Sequence, residues 1–228
     1  MSPESTVRIF WLGIIFSLTV LAEDSQQSRL EGDGTTLNIS SSSSGSVNDD
    51  DKLSVAVYYE ALCPDSVSFI TYQLVPAWGR YRDQMDLKLV PFGKAYIEDT
   101  TPPRYHCQHG RRECTLNILH GCVLDKLPFE KAFPVIGCLM QSMRSSFEKC
   151  IENNPEAKAE ILACASGTEG AALFKRFSAE TNRVAVPLSF VPTIEVNGKY
   201  DIFEQSEWLY RFDRTFRQEF EKKFLKTL

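Results

Sequence analysis

From Leu53 onward, the spacing of apolar residues is first typical of a strand, then of a helix, and then of a second strand. The apolar run from Leu53 to Tyr59 has the length and β-rich composition of a buried strand. From Cys63 to Tyr81 the apolar residues recur at steps of three and four, which is the period of one helix face. Met85 to Phe92 alternates apolar and polar residues and predicts a second strand. The order strand, helix, strand implies a right-handed crossover between two parallel strands.

Residues 104–165 break the alternation of strand and helix. Their pattern predicts a helical insert that contains six of the seven cysteines. One helix is predicted over 112–125, and a second begins near Pro128, which suits a first helical turn. A third begins at Asn154-Pro155, where a capping residue precedes another first-turn proline. A further helix over about 167–182 returns the chain to the sheet.

The last part of the chain predicts a β-hairpin and a helix. Asn197-Gly198 between apolar runs is a strong hairpin signal, and Ser206 to Leu225 has an apolar helix face. The order β-α-β, helical insert, α, β-hairpin, α gives four strands and predicts an α/β, thioredoxin-like fold with a disulfide-stapled helical insertion. The proline before the third strand is cis in such folds, so the Val191–Pro192 bond is predicted to be cis.

The residues before Leu53 have a different composition. Arg8 and the apolar run from Ile9 to Leu21 predict a signal peptide over residues 1–22, because a membrane span needs ~20 apolar residues. Residues 23–52 are rich in Ser, Gly and Asp and predict a disordered acidic linker. Asn38 lies in an N-glycosylation sequon of that linker. These boundaries leave a domain over residues 53–228.

Charge and cysteine content narrow the function. The chain has 25 basic and 30 acidic residues, and the acidic excess precedes Leu53. Without a basic stripe or tail, no nucleic-acid partner is expected. In a secretory compartment cysteines form disulfides, and seven cysteines leave one thiol over. The sequence predicts no transmembrane anchor and leaves the oligomeric state open.

Cys63 is the best candidate for that unpaired thiol. It stands where a strand ends and a helix begins, and the N–H groups and dipole of a helix N-terminus stabilise thiolate over thiol. Asp65 opposes this effect, because a nearby carboxylate disfavours a second negative charge. The Ser66 hydroxyl lies about one turn along and is positioned to donate a hydrogen bond to the sulfur.

The other six cysteines are predicted to form structural disulfides, since a secreted helical insert needs covalent staples. Six cysteines allow fifteen pairings. If the helices over 112–125 and 129–146 form a hairpin about residue 127, Cys114 faces Cys138 or a residue near it. The six are Cys107, Cys114, Cys122, Cys138, Cys150 and Cys164.

Two other chemistries are not favoured. No metal site is predicted from the histidines and cysteines of residues 106–122, because none of their spacings is a usual zinc pattern. His109 is interpreted as a hydrogen-bonded loop residue. Ser66 lacks a G-x-S-x-G elbow, and all three histidines lie in the insert, which argues against a serine hydrolase.

The segment from Cys107 to Cys122 resembles a known family signature. It fits the pattern CQHG, two residues, EC, two residues, N, four residues, C. Every fixed position is met, and the pattern is that of the gamma-interferon-inducible lysosomal thiol reductase (GILT) family. Residues 58–63, 90–93 and 191–192 are also similar to the family, and the resemblance covers Leu53 to Lys199.

The resemblance implies a thioredoxin-like fold with a helical insertion. It also implies reduction of protein disulfides at acidic pH in endosomes and lysosomes, with some members secreted. The family's C-x-x-C active site follows the first strand, which here is Cys63-Pro64-Asp65-Ser66. The nucleophilic cysteine is therefore Cys63, and Ser66 replaces the resolving cysteine, with Pro192 shaping the site.

The sequence thus predicts a secreted or lysosomal thiol-disulfide oxidoreductase that uses Cys63 as a monothiol nucleophile on disulfide-containing proteins. Its activity is expected to be weak, because Ser66 has no sulfur with which to attack the mixed disulfide. No cofactor is predicted, and an external thiol such as glutathione or cysteine would be the reductant. The alternative is a non-catalytic secreted binding protein on the same fold.

Overall fold

The computed structural model describes residues 51–141 and 146–228. The predicted signal peptide, nearly all of the predicted linker and Asn38 lie outside the described residues, and the domain boundaries stay predictions. Within those two ranges, no helix combines the length and the apolar character needed to cross a membrane.

The central sheet has three strands, with β1 (Leu53–Tyr59) in the middle. β2 (Met85–Pro91) pairs with it in parallel, from Leu53 opposite Met85 to Tyr59 opposite Pro91. β5 (Thr193–Val196) pairs antiparallel on the other side. This central place explains why β1 is apolar almost throughout, since a strand covered on both faces has no polar side. The predicted parallel pair is confirmed.

The helix after β1 is continuous in space but not uniform. It consists of α1 (Pro64–Phe69), a π-helical stretch (Ile70–Leu74) and α2 (Val75–Tyr81). Pro76 has no N–H to donate to an earlier carbonyl. The widened turn before it replaces the regular α-helix that the periodicity predicted.

The insert is helical, as predicted. Its helices are α3 (Arg111–Lys126), α4 (Phe129–Gln141), α5 (Phe147–Cys150) and α6 (Lys158–Ser166), and α7 (Thr168–Val184) follows it. A 3₁₀ turn, Pro155–Ala157, precedes α6. The helix α3 packs against α6 and α7, and α3 and α7 also contact β2.

Two short strands around the start of the insert were not predicted. β3 (Tyr96–Glu98) and β4 (Arg104–His106) form a separate antiparallel pair. Each has only three residues, and that is too short for an alternation of apolar and polar positions to be recognised.

The predicted β-hairpin at Asn197-Gly198 is wrong in part. The turn forms, with positive φ at both residues, but only one isolated bridge, between Val196 and Lys199, follows it. The central sheet therefore has three strands where four were expected. The outer edge of β5 is occupied by a side chain instead: Ile194 N donates to Gln205 Oε1 at 2.8 Å, and Gln205 Nε2 donates to Ile194 O at 2.7 Å.

The predicted C-terminal helix is divided into α8 (Gln205–Tyr210) and α9 (Phe212–Phe224). Arg211 between them has φ −138° and ψ 37°, outside helical values. The apolar face of α9 packs on the helix that follows β1, as predicted for a core helix. Phe212 contacts Phe69 edge to face, and Phe216 stacks on Tyr81.

Three disulfides staple the insert. The pairs are Cys107–Cys114, Cys122–Cys164 and Cys138–Cys150. The expected approach of Cys114 to Cys138 is wrong. Gly110, with φ 83°, turns the chain so that Cys107 returns to the first turn of α3, and the short helix α5 brings Cys150 to Cys138 instead.

Removing the Cys122–Cys164 bridge is expected to cost more stability than removing Cys107–Cys114. The first closes a separation of 42 residues and the second one of 7. Chain entropy then predicts losses of about 4 and about 2 kcal/mol in the free energy of unfolding. Urea unfolding of the two double Cys→Ala variants measures the difference. Equal losses would contradict the entropic account.

Candidate active site

Cys63 is the one free cysteine, and all seven cysteines lie among the described residues. It caps the N-terminus of α1, directly after β1. Its side chain is only 6% exposed, and Sγ donates to the carbonyl oxygen of Val191 at 3.7 Å. The Val191–Pro192 peptide bond is cis. The structure thus brings Cys63 beside the Val191–Pro192 segment, two parts of the chain that are far apart in sequence.

Ser66 is fully buried one turn after Cys63. Its hydroxyl accepts a hydrogen bond from the backbone N–H of Glu60 at 3.4 Å. Across residues 51–141 and 146–228, no hydrogen bond joins it to the Cys63 sulfur, although the sequence suggested one. Asp65, by contrast, is exposed and points away from the core.

The loop that carries Cys63 is held by α3. The N–H of Ala61 donates to Asn117 Oδ1 at 2.8 Å, and the N–H of Leu62 donates to Glu113 Oε2 at 3.3 Å. Glu113 and Asn117 are four residues apart and therefore lie on one face of the helix. Both are fully buried. The insert consequently supplies the hydrogen-bond partners that position the loop.

Glu60, at the start of the loop, is buried against the end of β2. Its Oε1 accepts a hydrogen bond from the N–H of Lys94 at 2.7 Å. Gly93 precedes that N–H and has φ 60°, and a Cβ at Gly93 would overlap the Glu60 side chain. A glycine is required here both for the left-handed conformation and for the close approach.

His109 lies between two carboxylates. Its Nδ1 is 2.6 Å from Glu113 Oε2 and 3.8 Å from Glu60 Oε2, and its own N–H donates to Glu113 Oε1 at 3.1 Å. Burial, and next the charge of Glu113, raise the pKa of Glu60 to about 7. These three side chains are the group within the described ranges whose geometry suits a metal ion.

The histidines and cysteines of residues 106–122 do not form a metal site together. Cys107, Cys114 and Cys122 are all in disulfides, so they have no thiolate to offer. His106 lies at the surface beside Glu98 at 3.1 Å. The histidines therefore occupy three separate environments.

His120 is buried and faces β1. The Tyr59 hydroxyl and His120 Nδ1 are 3.0 Å apart. Burial raises the pKa of Tyr59 and lowers the pKa of His120 to about 3. The hydroxyl is therefore protonated and donates to a neutral imidazole, which ties α3 to the middle of the sheet.

A cavity of about 380 Å³ opens beside the Cys63 loop. Val191 and Pro192 form one wall, and residues of α1 and α8 form the others. Ile202 and Tyr210 contribute exposed apolar side chains to its lining, with exposed fractions of 52% and 75%, and the exposed polar residues Asp65 and Ser206 line it as well. Val191, whose carbonyl oxygen Cys63 contacts, is itself part of the cavity lining. The cavity therefore lies next to the thiol.

The sequence patterns predicted Cys63, Ser66 and Pro192 at the site. They indicated no role for four other residues, which are Glu60, Gly93, Glu113 and Asn117. The last two did carry a signal. They are polar residues four apart on a predicted helix, and a polar pair on the buried face of a helix needs buried partners. Glu60 gave no comparable signal, because its partner is a backbone N–H.

Comparison with known proteins agrees with the signature. The sequence model of the family "Gamma interferon inducible lysosomal thiol reductase (GILT)" matches residues 54–154. "GILT-like protein 2" of Drosophila melanogaster is 30% identical over 181 residues, which cover 78% of this chain and 85% of that protein. "GILT-like protein 1" of the same organism is 33% identical over 169 residues, which cover 66% and 68%. The "Gamma-interferon-inducible lysosomal thiol reductase" of Mus musculus is 35% identical over 150 residues, which cover 64% of this chain and 60% of that protein.

Two solved structures resemble the fold. BdbD of Bacillus subtilis, oxidised, superposes with a TM-score of 0.55 at 12% identity, covering 76% of this chain and 90% of that one. DsbA of Chlamydia trachomatis gives a TM-score of 0.52 at 13% identity, covering 73% and 87%. At such identities the likeness concerns the fold alone. The predicted thioredoxin-like α/β fold with a disulfide-stapled helical insertion is confirmed.

Replacing His120 by Gln is expected to reduce the pH dependence of stability. The folded-state pKa of about 3 lies below the ordinary 6.5, so between these values the unfolded chain binds more protons and stability falls as pH falls. Gln does not titrate. The advantage of wild type over variant should shrink by about 2.3 kcal/mol between about pH 6.5 and 4.5. Urea unfolding at both pH values tests this, and an unchanged advantage would refute it.

Replacing Gly93 by Ala is expected to destabilise the protein. The left-handed conformation alone costs an alanine about 1–2 kcal/mol, and overlap with Glu60 adds to it. Gly79→Ala is the matched control, because Gly79 is an exposed helical residue with open space around it. The control is expected to gain up to about 1 kcal/mol. Urea unfolding should therefore give shifts of opposite sign.

Proposed function

Because the chain belongs to the gamma-interferon-inducible lysosomal thiol reductase family, whose members are thiol-disulfide oxidoreductases, we propose that it reduces protein disulfides with Cys63 as a single nucleophilic thiol. The observation that carries the proposal is the free Cys63, which stands at a helix N-terminus and faces the Val191 carbonyl before cis-Pro192.

The first step is attack of the Cys63 thiolate on a substrate disulfide. A bond forms between Cys63 and one substrate sulfur, the substrate disulfide breaks, and the other substrate sulfur leaves as a thiolate that takes up a proton. Cys63 is the N-cap residue of α1, and the positive end of a helix dipole favours negative charge nearby. The product of this step is a mixed disulfide between enzyme and substrate.

The second step needs a thiol from outside the chain. In a C-x-x-C site the second cysteine resolves the mixed disulfide, but here Ser66 occupies that position. One small thiol, such as glutathione or cysteine, releases the reduced substrate and stays on Cys63. A second regenerates the Cys63 thiol and leaves as the oxidised dimer. In total, one protein disulfide is reduced and two small thiols are oxidised, without a bound cofactor.

The cavity beside the site supports a polypeptide substrate. Phe69, Val191, Pro192 and Leu209 give its lining apolar surface, beside polar residues such as Asp65 and Gln73, and Tyr210 adds an exposed aromatic ring. Such a surface suits an extended or unfolded segment next to a disulfide. The substrates proposed are disulfide-containing proteins met in the secretory pathway, with secretion or lysosomal delivery as the destination of this chain.

A second function is favoured by two observations at the same site. Cys63 is only 6% exposed, and Ser66 cannot form a disulfide with it. Both would suit a secreted protein that binds a partner through the cavity and performs no redox chemistry. This binding function predicts that alkylated Cys63 leaves partner binding intact.

A single-turnover assay separates the two functions. Wild-type protein mixed with a reducible disulfide protein is expected to accumulate a mixed disulfide, which excess glutathione releases. Ser66→Cys is expected to release the substrate without added thiol, because an intramolecular thiol acts at high effective concentration. Non-reducing electrophoresis and mass spectrometry measure the adduct.

Cys63→Ser is the control and is expected to form no adduct. If the wild type forms no adduct while Ser66→Cys reduces the substrate, the site is intact but wild-type redox activity is lost. If the wild type forms no adduct and Ser66→Cys reduces no substrate, reduction through Cys63 is refuted and the binding function is favoured.

A further inference from the structure

Beside the Cys63 loop, Glu60, His109 and Glu113 form a compact cluster whose side chains exchange no sulfur or proton in the proposed reaction. One ligand atom from each lies within 4.8 Å of the others. Both glutamates are fully buried, whereas the His109 side chain is 37% exposed and reaches solvent. Two buried carboxylates side by side are costly unless a proton or a cation lies between them.

Each carboxylate is already held by backbone groups. The N–H of Lys94 fixes Glu60 Oε1, and the N–H groups of His109 and Leu62 fix the two oxygens of Glu113. Hydrogen bonds of this kind orient ligands around metal ions in proteins.

One buried acceptor in the cluster has no donor. Glu60 Oε2 makes no hydrogen bond within the part of the chain that the structure describes. It faces His109 Nδ1 at 3.8 Å. A buried oxygen without a donor, aimed into a group of ligating atoms, needs a partner, and a cation would supply it.

We propose that Glu60, His109 and Glu113 bind a divalent transition-metal cation of the zinc class. One imidazole and two carboxylates suit zinc, whereas calcium and magnesium prefer oxygen ligands alone and in larger number. Bonds of about 2.0–2.2 Å in a tetrahedral site put ligand atoms about 3.4 Å apart. The observed 2.6 and 3.8 Å lie on either side of that separation and differ from it by less than about 1 Å, and the separation of the two carboxylate oxygens is within 4.8 Å.

Charge and access agree with this assignment. A divalent cation neutralises the two carboxylates, and His109 binds through Nδ1 while Nε2 keeps its proton. The exposed side of His109 leaves the fourth position to water. The site does not include the Cys63 sulfur, so it stands whether or not Cys63 turns over substrate.

Calorimetric titration with Zn²⁺ tests the proposal, using untagged full-length protein near pH 7.5. Cys63→Ser is the background, so that its thiol cannot bind the probe. One equivalent is expected to bind, and His109→Asn and Glu60→Gln are each expected to weaken binding at least tenfold. Titration with Co²⁺ is expected to give the visible bands of a tetrahedral site without a thiolate charge-transfer band.

His106→Asn is the matched control. His106 is an exposed histidine that also faces a glutamate, Glu98, so generic surface binding would fall equally in this variant. Its affinity is expected to stay within twofold of the parent. The proposal is overturned if the parent binds no zinc, if His109→Asn binds as tightly as the parent, or if His106→Asn loses as much affinity as His109→Asn. Circular dichroism checks that each variant is folded. If Glu60→Gln is unfolded, the affinity of His109→Asn alone decides the test.

Discussion

The position of Cys63 depends on two hydrogen bonds from the residues just before it to side chains that are about 50 residues away in sequence. The loop between β1 and α1 leaves the sheet, so the N–H groups of Ala61 and Leu62 have no strand partner. Asn117 and Glu113 of α3 accept from them. A loop with unpaired buried N–H groups would cost about 1–3 kcal/mol for each. The insert is therefore part of the site, and the disulfide that ties α3 to α6 also steadies the loop.

Holding the loop with buried polar side chains lowers the stability of the fold relative to an apolar helix face. Glu60 and Glu113 are fully buried close together, and Asn117 Nδ2 lacks a hydrogen-bond partner in the described ranges. A purely apolar face would pack more favourably but could not accept from the loop. Gly93 serves the same arrangement, because its missing side chain leaves room for Glu60. Stability is thus given up locally to fix the backbone around one thiol.

The helices and strands that have a regular apolar pattern could be predicted from the sequence. β1 and α3 have long, regular patterns and were located within one or two residues, and the strand-helix junction identified Cys63. Contacts between distant segments were not predictable. Gln205 satisfies the edge of β5 with its side-chain amide, so no fourth strand forms, and nothing in the local pattern around Asn197-Gly198 indicates this. The partner of Cys114 likewise depends on a turn at Gly110 rather than on helix pairing.

Ser66 shows how the fold and the chemistry of this site are separable. Its buried hydroxyl accepts from the N–H of Glu60, and a hydroxyl is a better acceptor than a thiol. Serine at this position therefore supports the backbone of the same loop that Glu113 and Asn117 hold. What serine removes is the intramolecular attack on a mixed disulfide, because a hydroxyl forms no disulfide bond. In the proposed mechanism, Cys63 carries out the first sulfur transfer and an external thiol the second.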